Sequence, residues 1–210
     1  MTIVWLLASY LLGAIPTSYL VARAARGIDL REHGSRNLGA TNLYRVMGWQ
    51  YAVPVGLFDV AKGFIPVVVF GRQEPGIPHF ALLCGAVAIL GHVFSVFVKF
   101  RGGKGVATAA GVILGLAPVA LPAVLLIWSL VVRVSGYVSL GSILAALLFP
   151  LADWLFHRLL YRSSLEPVQL VFDLAVAAFI IWKHRANIGR LLAGTENRFG
   201  RRATASPPLP

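Results

Sequence analysis

Residues 106–132 read VATAAGVILGLAPVALPAVLLIWSLVV, and this uncharged stretch decides how many helices the chain has. It is longer than the about 20 residues that cross a bilayer as one helix. Pro118 and Pro122 lie near its middle, where a proline pair interrupts helical hydrogen bonding. The pattern favours two short helices, here called the two legs, over one long helix. The two legs are residues 106–117 and 119–133.

Further apolar segments surround this stretch, each close to the length of a membrane span. Of the 210 residues, 58% are hydrophobic and only 13% are charged, which excludes a soluble domain of this size. The fold class is therefore an all-α, polytopic integral membrane protein. The remaining predicted spans are 3–22, 51–70, 80–98, 138–156 and 167–183.

The distribution of lysine and arginine decides between one leg and two. With two legs, 15 basic residues lie in cytoplasmic segments and three lie outside, whereas one leg leaves ten inside and eight outside. The positive-inside rule favours the first arrangement: about seven transmembrane helices, with the N-terminus outside and the C-terminus cytoplasmic. A re-entrant hairpin at 106–132 would leave every other segment on the same side of the membrane, so it remains an alternative. Residues 1–197 form a single membrane-embedded catalytic domain, and 198–210 are expected to be a disordered cytoplasmic tail.

The net charge of +11 indicates anionic partners. Interleaved apolar spans argue against nucleic acid and leave membrane lipid and anionic substrates. The acids are too few and too scattered for a metal cluster, and no nucleotide-binding P-loop spacing is present, so no cofactor is expected. Cys84, the single cysteine, is interpreted as a small core residue.

A glycine-rich segment around Lys104 precedes the two legs. This second polar segment, residues 100–108, reads FRGGKGVAT. Backbone N–H groups beside a lysine, with a helix N-terminus following, suit a phosphate. Gly102 and Gly103 lie outside the hydrocarbon, where close packing gives less reason for glycine. We therefore predict that they form a phosphate cradle with Lys104 and Gly105.

Another polar stretch lies earlier in the chain and is called the first polar segment. It covers residues 34–45 and reads GSRNLGATNLYR. Its hydroxyl, amide and guanidinium groups supply many hydrogen-bond donors. Thr41 or Asn42 is a candidate cap for a helix that continues through Arg45. An ordinary positive-inside loop is the alternative. The candidate phosphate-binding residues here are Ser35, Asn37, Thr41, Asn42 and Arg45.

The third polar segment, residues 183–196, reads KHRANIGRLLAGTE. In a helix, His184 and Asn187 share one face. His184 is a candidate general base, although an interfacial histidine without a special role is commoner. Gly194 is expected to be the helix C-cap. Glu196, surrounded by arginines, is interpreted as an ion-pairing residue that holds the polar segments together.

Two apolar spans also carry polar residues. Asp59 and Lys62 are three residues apart in the second span, and intramembrane charges of this kind are usually paired. An internal ion pair is expected, and lining a pocket is the alternative. His92 is interpreted as a satisfied polar group in helix packing.

Three motifs, taken together and in this order, resemble the bacterial acyl-phosphate-dependent glycerol-3-phosphate acyltransferases, the PlsY family. They are Gly-Ser-x-Asn-x-Gly-Ala-Thr-Asn from Gly34, Gly-His-x-Phe followed by Phe-x-Gly-Gly-Lys-Gly-Val-Ala-Thr from Gly91, and His-Arg-x-Asn-Ile-x-Arg-Leu-x-x-Gly-Thr-Glu from His184. The resemblance covers nearly the whole chain except the tail. It implies seven helices and acyl transfer from acyl phosphate to the 1-hydroxyl of glycerol-3-phosphate at the cytoplasmic face of the bacterial inner membrane. The products are lysophosphatidic acid and phosphate, in the first step of phospholipid synthesis.

The resemblance also implies roles for individual residues. Ser35, Arg45 and Lys104 bind phosphate groups, while His184 and Asn187 orient glycerol-3-phosphate. Glu196 maintains structural integrity, and His184, Asn187, Lys104 and Ser35 make up the catalytic set. The chain departs from the family pattern without losing a proposed ligand, since it has Arg36 for a common glycine, Ser95 for a frequent proline and Arg101 for a frequent lysine.

The mechanism that these residues favour is direct, single-displacement transfer. The hydroxyl proton passes either to His184 or to the oxygens of the acyl phosphate, and the scarcity of bases favours the second route. An organic-anion or phosphate transporter is the rival from another class. A nucleotide-dependent phosphotransferase is a further rival, but it requires clustered aspartates that the sequence lacks.

Overall fold

The computed structural model describes residues 1–199, whose regular secondary structure is helical, with no strand in that range. Ten α-helices follow one another along this part of the chain, joined by turns and by longer connections at 27–39, 66–79 and 94–105. Their bounds are α1 Thr2–Ala14, α2 Thr17–Arg26, α3 Ala40–Met47, α4 Trp49–Ile65, α5 Phe80–Val93, α6 Val106–Leu116, α7 Ala120–Ser135, α8 Val138–Leu159, α9 Pro167–Lys183 and α10 Arg185–Leu192.

The apolar segments of the sequence form the long helices, and the break predicted near Pro118 is confirmed. Helix α6 ends at Leu116 and α7 begins at Ala120, because Pro118 cannot donate the helical hydrogen bond. By length and composition, three helical segments can each cross a membrane: Trp49–Gln73, Phe80–Val98 and Val138–Leu159. Two bent pairs, α1 with α2 and α9 with α10, raise the number to as many as five. The all-α membrane fold is thus confirmed, while the count of seven spans stays a prediction.

The first apolar segment is broken, unlike the single predicted span. Helices α1 and α2 meet at a 42° bend beside Pro16, where a helix loses hydrogen bonds to its own backbone. Other helices supply replacement donors. The carbonyl of Ala14 accepts from the Ser95 hydroxyl at 2.5 Å, and that of Ile15 accepts from Lys62 Nζ at 2.8 Å. Such substitution of donors lets a membrane helix break at proline.

Helices α4 and α6 cross at glycines, which brings the beginning of α6 close to the backbone of α4. Gly63 of α4 faces the backbone of Thr108, and Gly111 of α6 faces the backbone of Val60. A methyl group on either glycine would overlap the facing carbonyl. Close approach through small residues is the usual way in which membrane helices pack, and it fixes where the second polar segment lies.

The chain continues in ordered form past the predicted domain end at residue 197. Arg198 Nε donates to the Tyr137 hydroxyl at 3.1 Å, and the Phe199 ring stacks on Tyr44 with 4.6 Å between centroids. The Phe199 N–H also donates to the carbonyl of Gly136 at 2.6 Å. Residues 198 and 199 therefore have aromatic partners in the helical part of the chain, while the domain boundary at 197 and the disordered tail stay predictions. Residues 200–210 lie outside the described residues.

Candidate active site

The three polar segments meet at one end of the helix bundle, as the sequence predicted. Gly103 of the second segment packs against Leu38 of the first. Lys104 of the second segment hydrogen-bonds to Asn187 of the third. Arg45 of the first reaches the carbonyl of Asn197, just after the third, at 3.5 Å. Three stretches far apart in sequence thus form a single cluster.

A hydrogen-bonded chain of three side chains lies at the centre of this cluster. Lys104 Nζ donates to Asn187 Oδ1 at 2.5 Å, and Asn187 Nδ2 donates to Glu196 Oε1 at 2.8 Å. Asn187 is 5% exposed, so the amide is committed to these two partners. Through these two hydrogen bonds, Asn187 holds the Lys104 ammonium at a fixed position relative to the Glu196 carboxylate.

Glu196 is the anchor of the chain. Its side chain is only 4% exposed. Oε1 also accepts from the Ser139 hydroxyl of α8 at 3.0 Å, and Oε2 accepts from Arg190 Nε at 2.7 Å. The ion pairing predicted for Glu196 is therefore present. It joins α8, α10 and, through Asn187, the second polar segment.

Positive charge exceeds negative charge around this anchor. Three cations, Lys104, Arg45 and Arg190, lie near the single carboxylate of Glu196. Burial lowers the pKa of Lys104 to about 8, and repulsion from Arg190 and Arg45 acts in the same direction, opposed by Glu196. Burial also lowers the pKa of Arg45. A bound anion would offset the unfavourable burial and mutual repulsion of these positive charges, so the electrostatics favour phosphate.

His184 lies at the 56° bend between α9 and α10 and is 2% exposed. Its Nδ1 is 2.8 Å from the carbonyl oxygen of Ile180. A carbonyl only accepts, so the proton is on Nδ1 and the lone pair is on Nε2. Burial and the nearby charge of Lys104 lower the pKa of His184 to about 4. The ring is neutral at pH 7 and can accept a hydrogen bond at Nε2.

Gly102 and Gly103 serve packing, which corrects the prediction of free N–H groups at these two residues. Their N–H groups donate to the carbonyls of Val93 and His92, at 3.1 and 3.2 Å. A methyl group on Gly102 would overlap the His92 carbonyl, and one on Gly103 would lie 2.5 Å from the Leu38 carbonyl oxygen. The sequence could not reveal that the end of α5 folds against this loop.

The N–H groups left for an anion belong to the residues that follow. Within the described part of the chain, those of residues 104–108 have no hydrogen-bond partner, because the first N–H groups of a helix point away from its own carbonyls. Gly105 is the N-cap of α6, with φ 82°. The anion-binding backbone is thus the beginning of α6, beside Lys104.

The first polar segment is shaped by Asn42. Its Oδ1 accepts from the Ser35 N–H at 2.7 Å, and its Nδ2 donates to the carbonyls of Leu30 and His33, at 3.2 and 3.0 Å. Asn42 is 1% exposed, so this amide holds the loop. Gly39 is the N-cap of α3, without a side-chain bond. The prediction that Thr41 or Asn42 caps the helix was wrong, because both residues lie inside its first turn.

Other residues of this segment remain candidate ligands. Ser35, Asn37 and Thr41 are half-buried, and their binding roles stay predictions. Arg36 has φ 59°, the left-handed conformation that glycine adopts most easily. This explains why a glycine suits the position. Arg45 Nε is buried without a partner among the described residues, so this side chain has a donor to spare.

Two residues of the cluster, Arg190 and Ser139, have no role predicted from the sequence. Arg190 belongs to the third motif, and its spacing of three from Asn187 places both on one face of α10. Ser139 gave no signal, because an isolated serine at the beginning of an apolar helix is ordinary. Gly194, with φ 69°, directly follows the C-cap Ala193, so the cap lies one residue before the predicted Gly194.

The polar residues inside the spans also pair. Lys62 Nζ is 2.7 Å from Asp59 Oδ1, with side-chain exposures of 1% and 3%, so the predicted internal ion pair is confirmed. His92 differs from the prediction. Its Nδ1 is buried and has no hydrogen-bond partner among the described residues, so this nitrogen is not satisfied by helix packing.

Comparison with known proteins supports the motif-based assignment. Residues 3–194 match the family model described as glycerol-3-phosphate acyltransferase. A protein of that name from Chlorobaculum parvum is 45% identical over 222 residues, covering 93% of this chain and 96% of its own length. One from Fusobacterium nucleatum is 43% identical over 195 residues, with the same two coverages.

Solved structures agree with the fold. The crystal structure of PlsY, an integral membrane glycerol 3-phosphate acyltransferase, in its glycerol 3-phosphate form has a TM-score of 0.83 and 37% identity. It covers 95% of this chain and 96% of that one. The lysophosphatidic acid form of PlsY gives 0.80 and 36%, with 95% of each chain covered.

Proposed function

The chain belongs to the glycerol-3-phosphate acyltransferase family, and we propose that it transfers a fatty acyl group from acyl phosphate to the 1-hydroxyl of glycerol-3-phosphate. The products are lysophosphatidic acid and phosphate, in the first step of bacterial phospholipid synthesis. The observation that carries the proposal is the Lys104–Asn187–Glu196 chain, with Arg45 and Arg190 nearby, at the end of a bundle of apolar helices.

Acyl phosphate suits this site because the site is rich in cations and poor in nucleophiles. Both substrates carry phosphate, and the donor is already activated by a phosphate leaving group. The protein then needs to position the reactants and to neutralise charge. A lysine whose pKa is lowered to about 8 by burial gains most from an anionic partner.

The two phosphates have separate candidate positions. The donor phosphate lies at Lys104 and the free N–H groups at the beginning of α6, where helix geometry favours an anion. The phosphate of glycerol-3-phosphate meets Arg45, whose Nε has no other partner among the described residues. Ser35, on the same segment as Arg45, completes the phosphate contacts.

The reaction is a single displacement. The 1-hydroxyl oxygen of glycerol-3-phosphate attacks the acyl carbon, and the bond between that carbon and the phosphate oxygen breaks. Because the pKa of His184 is lowered to about 4, the ring is a poor proton acceptor at neutral pH. His184 Nε2 therefore orients the hydroxyl as a hydrogen-bond acceptor, and the proton leaves with the departing phosphate.

The membrane arrangement follows from the same proposal. Helices α4, α5 and α8 span the bilayer, and α1 and α9 contribute one span each through their bent pairs. The shorter apolar helices α6 and α7 complete seven spans. The N-terminus is then outside, and the site faces the cytoplasm of the inner membrane, where lysine and arginine are concentrated.

The test uses purified protein in a lipidic medium with palmitoyl phosphate and radiolabelled glycerol-3-phosphate. We expect lipid-extractable label and phosphate release, both lost in Lys104→Ala and retained in Arg101→Gln, an exposed cation of the same loop. Lipid-extractable label that forms with an acyl thioester as the donor, and not with palmitoyl phosphate, would contradict the proposed donor. Uptake of glycerol-3-phosphate into sealed vesicles without a lipid product would replace the enzyme by a transporter.

A further inference from the structure

A buried polar cluster lies directly beneath the second polar segment, and the proposed reaction does not use it. Asp59 Oδ1 accepts from Lys62 Nζ at 2.7 Å and from the Thr17 hydroxyl at 3.3 Å. Lys62 also donates to the Ile15 carbonyl that the Pro16 break leaves without its helical partner. These contacts account for Lys62 as a structural residue.

His92 lies beside the Asp59 carboxylate. Its Nδ1 is 3.9 Å from Asp59 Oδ1, which is too long for a hydrogen bond. The same nitrogen is buried and has no partner among the described residues. Leaving a buried polar group unpaired is unfavourable, because the group loses its hydrogen bonds to water. Two polar atoms more than 3.5 Å apart can be bridged by a water molecule.

A small cavity borders both side chains. A cavity of about 10 Å³, measured as the volume open to the centre of a water-sized sphere, is lined by Asp59, His92, Thr17, Gly102 and Gly103 among others. That volume holds about one water molecule. The lining offers a carboxylate, a ring nitrogen and a hydroxyl, which are enough partners to hold it.

We propose that one ordered water occupies this cavity, accepts a hydrogen bond from His92 Nδ1–H and donates to the Asp59 carboxylate. The negative charge of Asp59 favours the tautomer with the proton on the facing nitrogen. The Asp59–water–His92 bridge then fixes the plane of the imidazole ring. Asp59 and His92 are positioning residues, and their role rests on the proposed function of Lys104.

The ring supports the loop that carries Lys104. The His92 carbonyl accepts from the Gly103 N–H at 3.2 Å, and a methyl group on Gly103 would overlap His92 Nε2. Gly103 therefore lies directly on the ring, and Lys104 is the next residue. A rotation of the ring would displace the loop and change the burial of the Lys104 ammonium.

A spectroscopic measurement tests the bridge without relying on catalysis. Nitrogen-15 NMR of histidine-labelled protein, with His92 assigned by His92→Asn, should show a neutral ring protonated at Nδ1. A ring protonated at Nε2, or a high-resolution crystal structure with a dry cavity, would overturn the proposal. Because neither result depends on turnover, failure of the proposed acyl transfer is distinguishable from failure of the bridge.

The pH dependence of kcat/KM tests the positioning role. His92→Leu should lower kcat/KM about 10-fold or more. The decrease of kcat/KM at high pH, called the basic limb, should also move upward from about pH 8, because Lys104 becomes less buried. His92→Asn, which keeps a polar group near the Nδ1 position, should retain most of the activity. His157→Leu, at the far end of α8, is the matched control and should leave the limb unchanged.

Two outcomes would overturn this role. An active His92→Leu enzyme with its basic limb still at about pH 8 would leave the cluster with a structural function alone. Equal losses in His92→Asn and His92→Leu would show that the polar group at Nδ1 is irrelevant. Should His92→Leu fail to fold, His92→Asn and the NMR tautomer still decide the question.

Discussion

The substitution Glu196→Gln tests the carboxylate that anchors the site. The carboxylate accepts three hydrogen bonds, from Ser139 and Asn187 at Oε1 and from Arg190 at Oε2. A glutamine can keep its carbonyl oxygen at the Oε1 position, but its NH2 group then faces the Arg190 Nε–H. The opposite orientation is worse, because two donors would face the NH2 group.

The cost follows from these contacts. Losing the charge-assisted bond to Arg190 costs ~1.5 kcal/mol, at the lower end of the usual range because Arg190 is 39% exposed and water can replace part of it. The bonds from Ser139 and Asn187 weaken by roughly 0.5 kcal/mol each once the acceptor is neutral. We therefore expect a destabilisation of about 2.5 kcal/mol, which for a chain of this length lowers Tm by roughly 5–10 °C.

Cys84 provides the assay. It is the single cysteine of the chain and is fully buried, so a thiol-reactive fluorophore labels it only when the bundle opens. The matched control is Glu32→Gln, the same chemical change at an exposed acid, which should leave Tm within about 1 °C. Because the charge of Glu196 raises the pKa of Lys104, Glu196→Gln should also move the basic limb of kcat/KM to lower pH. An unchanged Tm together with an unchanged limb would refute the reasoning.

Three further predictions follow from the same contacts. The pKa of Lys104 is lowered to about 8, so kcat/KM should fall as the pH rises through about 8 and the ammonium is lost. In Lys104→Arg, a pH–rate profile should show this limb displaced upward if the enzyme remains active. Gly103→Ala should reduce the yield of folded protein in size-exclusion chromatography, because its methyl group would lie 2.5 Å from the Leu38 carbonyl oxygen. Phe199→Ala should lower stability by about 1 kcal/mol in the Cys84 assay, through loss of the stack on Tyr44.

The sequence predicted the features that depend on local pattern. Apolar length marked the helices, Pro118 marked the break between α6 and α7, and the spacing of Asp59 and Lys62 marked their ion pair. The convergence of the polar segments was also predictable, because charge placed all three at one membrane face. Each of these signals is contained in a stretch of sequence or in a count of charges.

Features that depend on contacts distant in sequence were missed. Gly102 and Gly103 looked available to a ligand, because nothing nearby in sequence indicates that the His92 and Val93 carbonyls face them. Asn42 looked like a helix cap or a ligand, and its burial between two turns became evident only in three dimensions. The packing of Phe199 likewise depends on an aromatic ring more than 150 positions earlier.

Rapid-quench kinetics would test the central claim most directly, namely that the site transfers the acyl group in one step between two bound substrates. The enzyme is mixed with radiolabelled palmitoyl phosphate and then with glycerol-3-phosphate, while phosphate, lysophosphatidic acid and protein-bound label are followed together. The account predicts that phosphate and lysophosphatidic acid appear at the same rate, one for one, with no label on the protein. A burst of phosphate before glycerol-3-phosphate is added, with label retained on the protein, would contradict it.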